Sequence, residues 1–152
     1  MTQTGSAVHT ALEQDFRDRY GPVALVTGAS SGIGAALARH LGARGLDLVI
    51  TARRGDRLVE LAQQLESTFA VTVTVAEQDL AMPDAAAELG EITSHLDVGL
   101  VASNAGFGLK GPHQDNDPGQ MAALLAVNCQ APMLLAHCFI PRLLQRGRGG
   151  LL

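Results

Sequence analysis

Apolar residues are distributed along this chain in two alternating ways. Val23 to Val26, Leu46 to Ala52 and Val98 to Ala102 are short and apolar throughout, as strands buried on both faces of a parallel sheet must be. Val71 to Val75 alternates with Thr72 and Thr74 and predicts a further strand. Helical spacing fills the intervals. Ala35 to Arg44 is rich in Ala and Leu and is stopped by Gly45. Asp56 to Phe69 puts Leu58, Leu61 and Leu65 on one face, with Asp56 near its start, where the helix dipole favours an anion. Pro83 to His95 predicts a third helix. Asp117 to Gln145 predicts a fourth, long one, with Met121, Leu124, Leu125, Leu135, Phe139 and Leu143 in register. Its start is an N-cap aspartate followed by proline at the first helical position. Gly147 to Gly150 then makes a turn, and Leu151-Leu152 begins a fifth strand.

Residues 1–20 form an extension outside this alternation. Val8, Leu12 and Phe16 fall at i, i+4 and i+8, so a short amphipathic helix is expected. Tyr20-Gly21-Pro22 breaks it. The chain therefore divides into an extension, 1–20, and one α/β domain, 21–152, built as a doubly wound parallel sheet with helices on both faces.

Composition narrows the possible functions. The 152 residues can bury one sizeable core. Eleven basic against 15 acidic residues leave no electrostatic footprint for nucleic acid. No consecutive apolar run reaches membrane-spanning length. The first ten residues lack the basic and apolar blocks of a signal peptide, so a cytoplasmic protein is expected. Cys129 and Cys138 lie nine apart on one predicted helix, roughly 13 Å along its axis, too far to bridge. The five histidines show no metal-ligand spacing, so no metal is expected.

The chemistry is concentrated in Val23 to Gly34, VALVTGASSGIG. A strand feeding a helix through a glycine-rich bend brings backbone N–H groups and the positive end of the helix dipole to one point, which suits a pyrophosphate. Gly28 permits the tight turn, Gly32 the approach of the phosphates, and Gly34 close packing of helix on strand. One strand further on, Ala52 stands where a carboxylate would bind the free 2′-hydroxyl of NAD, and Arg53-Arg54 follow. A guanidinium can grip a phosphate through two parallel N–H bonds, so NADPH is expected in preference to NADH.

With its threonine before the first glycine, TGASSGIG resembles the cofactor loop of the short-chain dehydrogenase/reductase family. Asp79-Leu80 after the third strand, SNAG at Ser103 to Gly106, and Asn128 on the long helix follow in that family's order. The resemblance covers roughly Pro22 to Leu152 and implies a Rossmann-type sheet in the order 3-2-1-4. It implies cofactor contacts for Gly28, Ser30, Ser31, Gly32, Ile33, Gly34, Arg53, Arg54, Asp79, Leu80, Asn104, Ala105 and Gly106. In the family the Asp at position 79 bonds the adenine amino group, although locally it also suits a turn. Asn104 is expected to be mainly structural, tying neighbouring strands together with its amide.

Asn128 matches the family's helical catalytic Asn, whose backbone carbonyl holds a water of the proton relay. Pro132 supplies a physical reason, since it has no N–H to give the carbonyl four residues earlier; a kink is expected there. The family's catalytic Ser and Tyr-x-x-x-Lys have no counterpart. Tyr20 is the single tyrosine, Lys110 the single lysine, and no serine follows Gly106.

Two readings follow. The first is the cofactor-binding half of an NADPH-dependent oxidoreductase acting on a small carbonyl or alcohol, homo-oligomeric when intact and inactive as these 152 residues alone. The second is a non-catalytic module that binds NADP or packs on a partner. The gap of three residues in the glycine loop and Arg53 argue against other nucleotide users such as methyltransferases. The loop from Phe107 to His113 is expected to form one wall of a substrate pocket. The fourth strand, if left at an edge, and an uncovered face of the last helix predict self-association.

Overall fold

The computed structural model describes residue 12 and residues 14–152. Residues 14–20 are helical (α1). There follow β1 (Val23–Thr27), α2 (Gly32–Ala43), β2 (Asp47–Ala52), α3 (Gly55–Phe69), β3 (Val73–Glu77), α4 (Ala85–Ile92), β4 (Val98–Ala102), α5 (Pro118–Leu125), α6 (Ala131–Arg146) and β5 (Gly150–Leu151). Val8 of the expected amphipathic helix lies outside the described residues. Leu12 is exposed, and Phe16 packs against the core.

All five strands are parallel, in the order β3-β2-β1-β4-β5. Strand pleating sends alternate residues to opposite faces. Ala24, Val26, Leu48, Ile50, Leu100 and Ala102 pack under α2 and α3, while Val23, Leu25, Val49 and Val101 pack under α4 and α6. β1 is buried at all five positions, as its apolar run requires.

β5 extends the predicted order and corrects one expectation. It begins at Gly150 and pairs Leu100 with Gly150 and Val101 with Leu151. The ladder continues with Leu152 N–H to Val101 O at 3.0 Å and Ser103 N–H to Leu152 O at 2.7 Å. β4 is therefore an interior strand, and the open edge belongs to β5.

Other boundaries move for local reasons. β3 starts two residues later than expected. Asp47 Oδ1 accepts from Thr72 N–H at 2.7 Å and Glu66 Oε1 from Val73 N–H at 3.0 Å, so side chains hold the lead-in. α4 stops at Ile92, where the backbone leaves helical geometry at Thr93 (φ −96°, ψ 8°), and the Thr93 hydroxyl donates to Leu89 O at 2.7 Å. Arg142 of α6 then donates to Thr93 Oγ1, Thr93 O and Leu96 O at 2.7–2.9 Å. A second guanidinium, Arg146, joins Asp97 to Gly21 O and holds the Asp97 carboxyl below its ordinary range through that hydrogen bond.

The long helix differs most. Residues 118–146 form one helical run of 29 residues, and its most apolar 18-residue window has a mean hydropathy of 1.6. By length and composition it could cross a membrane, contrary to the reading of consecutive apolar residues. Pro118, Asn128, Gln130 and Pro132 interrupt the run in sequence without lowering the average enough. Val127, Ala131, Leu135 and Phe139, four residues apart, are buried against the sheet. Met133, Ile140 and Leu144 point away, 63, 44 and 74% exposed.

One buried polar atom is left over. Thr51 on β2 is fully buried, and its hydroxyl has no hydrogen-bond partner among the described residues. Thr51→Val should stabilise the protein by about 1 kcal/mol, since an unpaired buried hydroxyl costs on that order. A raised urea midpoint at unchanged slope is the expected readout; a lowered midpoint means the hydroxyl is bonded in solution.

Candidate functional site

The site lies beyond the carboxyl ends of β1, β2 and β4. There the sheet order reverses direction, the position at which open α/β sheets form a crevice. The bend after β1 is shaped by backbone contact. Gly28 has φ +67°, and a Cβ there would stand 2.8 Å from Ala105 Cα. At Gly34 a Cβ would meet Gly28 O at 2.3 Å and Asn104 Nδ2 at 2.6 Å. α2 therefore sits directly on its own loop. Gly32, at φ +56°, has no atom within 4 Å of such a Cβ and faces open space.

Thr27 fastens this corner to β4. Its fully buried hydroxyl accepts from Asn104 N–H and Ala105 N–H, both at 2.9 Å, and donates to Ala102 O at 3.3 Å. Asn104 Nδ2 donates to Thr27 O at 3.0 Å. The Asn104 amide thus ties β1 to β4.

From the other side, Arg54 reaches over the loop. Its Nη2 donates to Ser30 Oγ and to Ser31 Oγ, both at 2.8 Å, and its Nε to Ser30 Oγ at 3.2 Å. Arg53 is exposed and makes no hydrogen bond or ion pair among the described residues. Asp79 Oδ1 accepts from Ala81 N–H at 3.0 Å. The turn role is therefore real, and it leaves a carboxylate oxygen over beside the crevice.

Asn128 lies on a π-helical turn, Ala126–Gln130, between α5 and α6. Ala131 N–H bonds Ala126 O, five residues back. Pro132 has no N–H for Asn128 O, so the kink expected from sequence takes the form of a π turn. The Asn128 side chain does separate work. Its Oδ1 accepts from Phe107 N–H at 3.1 Å, and its Nδ2 donates to Phe107 O at 2.8 Å. Both halves of one loop residue are held, and with it the mouth of the crevice.

The crevice brings together Gly28, Ser30, Ser31, Arg53, Arg54, Asp79, Leu80, Ala105 and Gly106 from the residues singled out by sequence. Gly34, Asn104 and Asn128 do not line it but contact or hold residues that do, and Gly32 is not among the lining residues. Ile33 is 74% exposed and does not line it. Gln78 and Val127 line it without having been anticipated. Each is adjacent in sequence to a residue that was, and that adjacency was the available signal.

The residues present fit a dinucleotide. Two glycines allow backbone to approach backbone, one glycine faces open space at a helix N-terminus, and two guanidiniums stand one strand away. Amides and a helix dipole suit a diphosphate. Guanidiniums suit a further phosphate.

Comparison with known proteins agrees with this architecture. The family model described as "short chain dehydrogenase" matches residues 22–152. A 7beta-hydroxysteroid dehydrogenase from Clostridium sardiniense is 34% identical over 135 residues, 89% of this chain and 52% of that protein. A short-chain dehydrogenase from Sphingobium yanoikuyae, solved with NADPH, superposes with a TM-score of 0.81 at 34% identity, covering 86% of this chain and 52% of that one. L-sorbose reductase from Gluconobacter frateurii, solved with NADPH and L-sorbose, gives 0.81 at 30% identity, with 88 and 51% covered. This chain spans about half the length of these relatives. The glycine corner, the strand order and a family match running from Pro22 to Leu152 place the chain in the short-chain dehydrogenase family.

Proposed function

We propose that this chain forms the NADPH-binding half of an oxidoreductase that moves hydride between a nicotinamide and a small carbonyl or alcohol compound. The observation that carries the reading is the crevice itself. Gly28, Ser30 and Ser31 of the β1–α2 loop, the last of them the N-cap of α2, line the same opening as Arg53 and Arg54. Bound there, the dinucleotide supplies the hydride. In this reading Gly28 and Gly32 let the chain approach a diphosphate, and Leu80 and Val127 exclude water from the adenine end. The oxygen left over on Asp79 accepts from the adenine amino group. Arg53, with no partner among the described residues, grips the 2′-phosphate. Asn128 holds Phe107 in place while its own carbonyl, denied a donor by Pro132, is available to a relay water.

The family's Ser, Tyr and Lys have no counterpart in these 152 residues, so the chain by itself binds cofactor without turnover. The exposed face of the long helix is read as a contact between subunits of a cytoplasmic homo-oligomer rather than as a membrane span. Its other face is packed on the sheet through Leu135 and Phe139. Two named relatives, a hydroxysteroid dehydrogenase and a sorbose reductase, support a carbonyl or alcohol substrate.

Calorimetric titration with both nucleotides tests the proposal. NADPH should bind at least about tenfold more tightly than NADH, the worth of one charge-assisted hydrogen bond. Arg53→Asp should abolish the difference. Equal affinity in the parent protein, or a preference that survives Arg53→Asp, ends the NADPH assignment.

A further inference from the structure

Ser31 stands at the N-cap of α2, where a serine hydroxyl ordinarily accepts from an amide of the first helical turn. Its backbone is extended, at φ −169° and ψ 172°, as a cap residue should be, yet its side chain makes no capping bond. The hydroxyl oxygen accepts from Arg54 Nη2 at 2.8 Å instead. Ser30 Oγ takes two further bonds from the same guanidinium, so Arg54 is anchored while it holds Ser31. No acidic side chain lies in the first turn of α2 to serve as a substitute cap.

A helix that caps itself is a poorer anion site. The cap bond satisfies one of the amides that a ligand oxygen would otherwise claim, and it must break before the ligand can bind. We propose that Arg54 is a positioning residue that draws Ser31 off the N-terminus of α2 and so keeps the leading amides open for a diphosphate. The inference rests on the dinucleotide reading above and gives Arg54 a role distinct from the phosphate grip assigned to Arg53. Recognition of a 2′-phosphate concerns NADPH alone. Uncapping the helix favours NADH, NADPH and inorganic pyrophosphate alike.

The test compares four forms of the protein: the parent, Arg54→Met, Ser31→Ala and the double variant. Without ligand, Ser31→Ala should leave the melting temperature nearly unchanged in the parent, where the hydroxyl caps nothing. In the Arg54→Met background it should lower it by about 2–4 °C, as loss of a cap does. With NADH, Arg54→Met should weaken binding about fivefold, and Ser31→Ala on top should restore it to within about twofold of the parent. NADPH should weaken and recover in parallel, since Arg53 still holds its 2′-phosphate in all four forms.

Equal melting shifts in the two backgrounds overturn the inference, as does a loss of NADH affinity that the double variant fails to recover. An Arg54→Met protein that loses affinity for NADPH alone also overturns it, while leaving the cofactor reading standing. If the parent binds neither nucleotide, the cofactor reading fails, and the ligand-free comparison still decides whether Arg54 controls the cap.

Discussion

Thr27→Val should cost about 2–4 kcal/mol of folding stability, the largest loss expected from removing a single hydroxyl oxygen among the described residues. Two amides, Asn104 N–H and Ala105 N–H, share that hydroxyl as acceptor at 2.9 Å. A methyl group of nearly the same size takes the space and leaves both donors without a partner. Each orphaned donor costs about 1–3 kcal/mol, towards the lower end here because the bonds are partly buried. Thr27→Ser keeps the oxygen and should stay within about 1 kcal/mol of the parent, the price of one lost methyl. Urea denaturation of the two variants separates the oxygen from the methyl. If Thr27→Val unfolds at the parent midpoint, water replaces the hydroxyl and the corner is wetter than it looks.

Gly34→Val should be at least as damaging, at about 3 kcal/mol or more, and should abolish nucleotide binding. Overpacking usually costs about 1–3 kcal/mol because side chains can give way. Here the ideal Cβ falls 2.3 Å from Gly28 O, 2.6 Å from Asn104 Nδ2 and 2.7 Å from Gly28 C, and the backbone of a tight bend cannot yield. Gly32→Ala is the control. It meets no atom within 4 Å, so it should lose only the roughly 1–2 kcal/mol that a left-handed backbone costs an L-residue. The two glycines are two residues apart in the same motif, and the gap between their effects measures helix packing against turn geometry. A Gly34→Val protein that binds nucleotide normally would show that α2 can lift off its loop.

Much of this was legible in the sequence, and what was not has identifiable causes. β4 has the bounds that its apolar run predicts, because every position in it is buried and no polar neighbour competes. β3 was placed two residues early, since Thr72 and Val73 look like strand residues and only the folded chain brings Asp47 and Glu66 to their amides. The glycine spacing predicts the bend, and Gly28 and Gly34 stand at the close backbone contacts expected of them. Ile33 was expected at the cofactor because it lies inside the motif; helical geometry turns it outward. Arg53 and Arg54 were read as a pair, but a strand end followed by a helix start separates their directions. Only one of them reaches Ser30 and Ser31, 24 and 23 residues earlier.

The π turn has a geometric consequence for the whole second half of the long helix. One surplus residue in a turn rotates everything after it by about 100° relative to an unbroken α-helix. With that rotation Ala131, Leu135 and Phe139 continue the stripe begun by Val127, and Asn128 still faces the loop it grips. Straightening this turn into regular α-helix with every residue kept would swing Phe139 away from the sheet, whereas deleting the surplus residue would close the bulge and leave Phe139 on the seam. The bulge acts as an angular spacer, so a single stretch of helix can serve a loop at one end and a hydrophobic seam at the other.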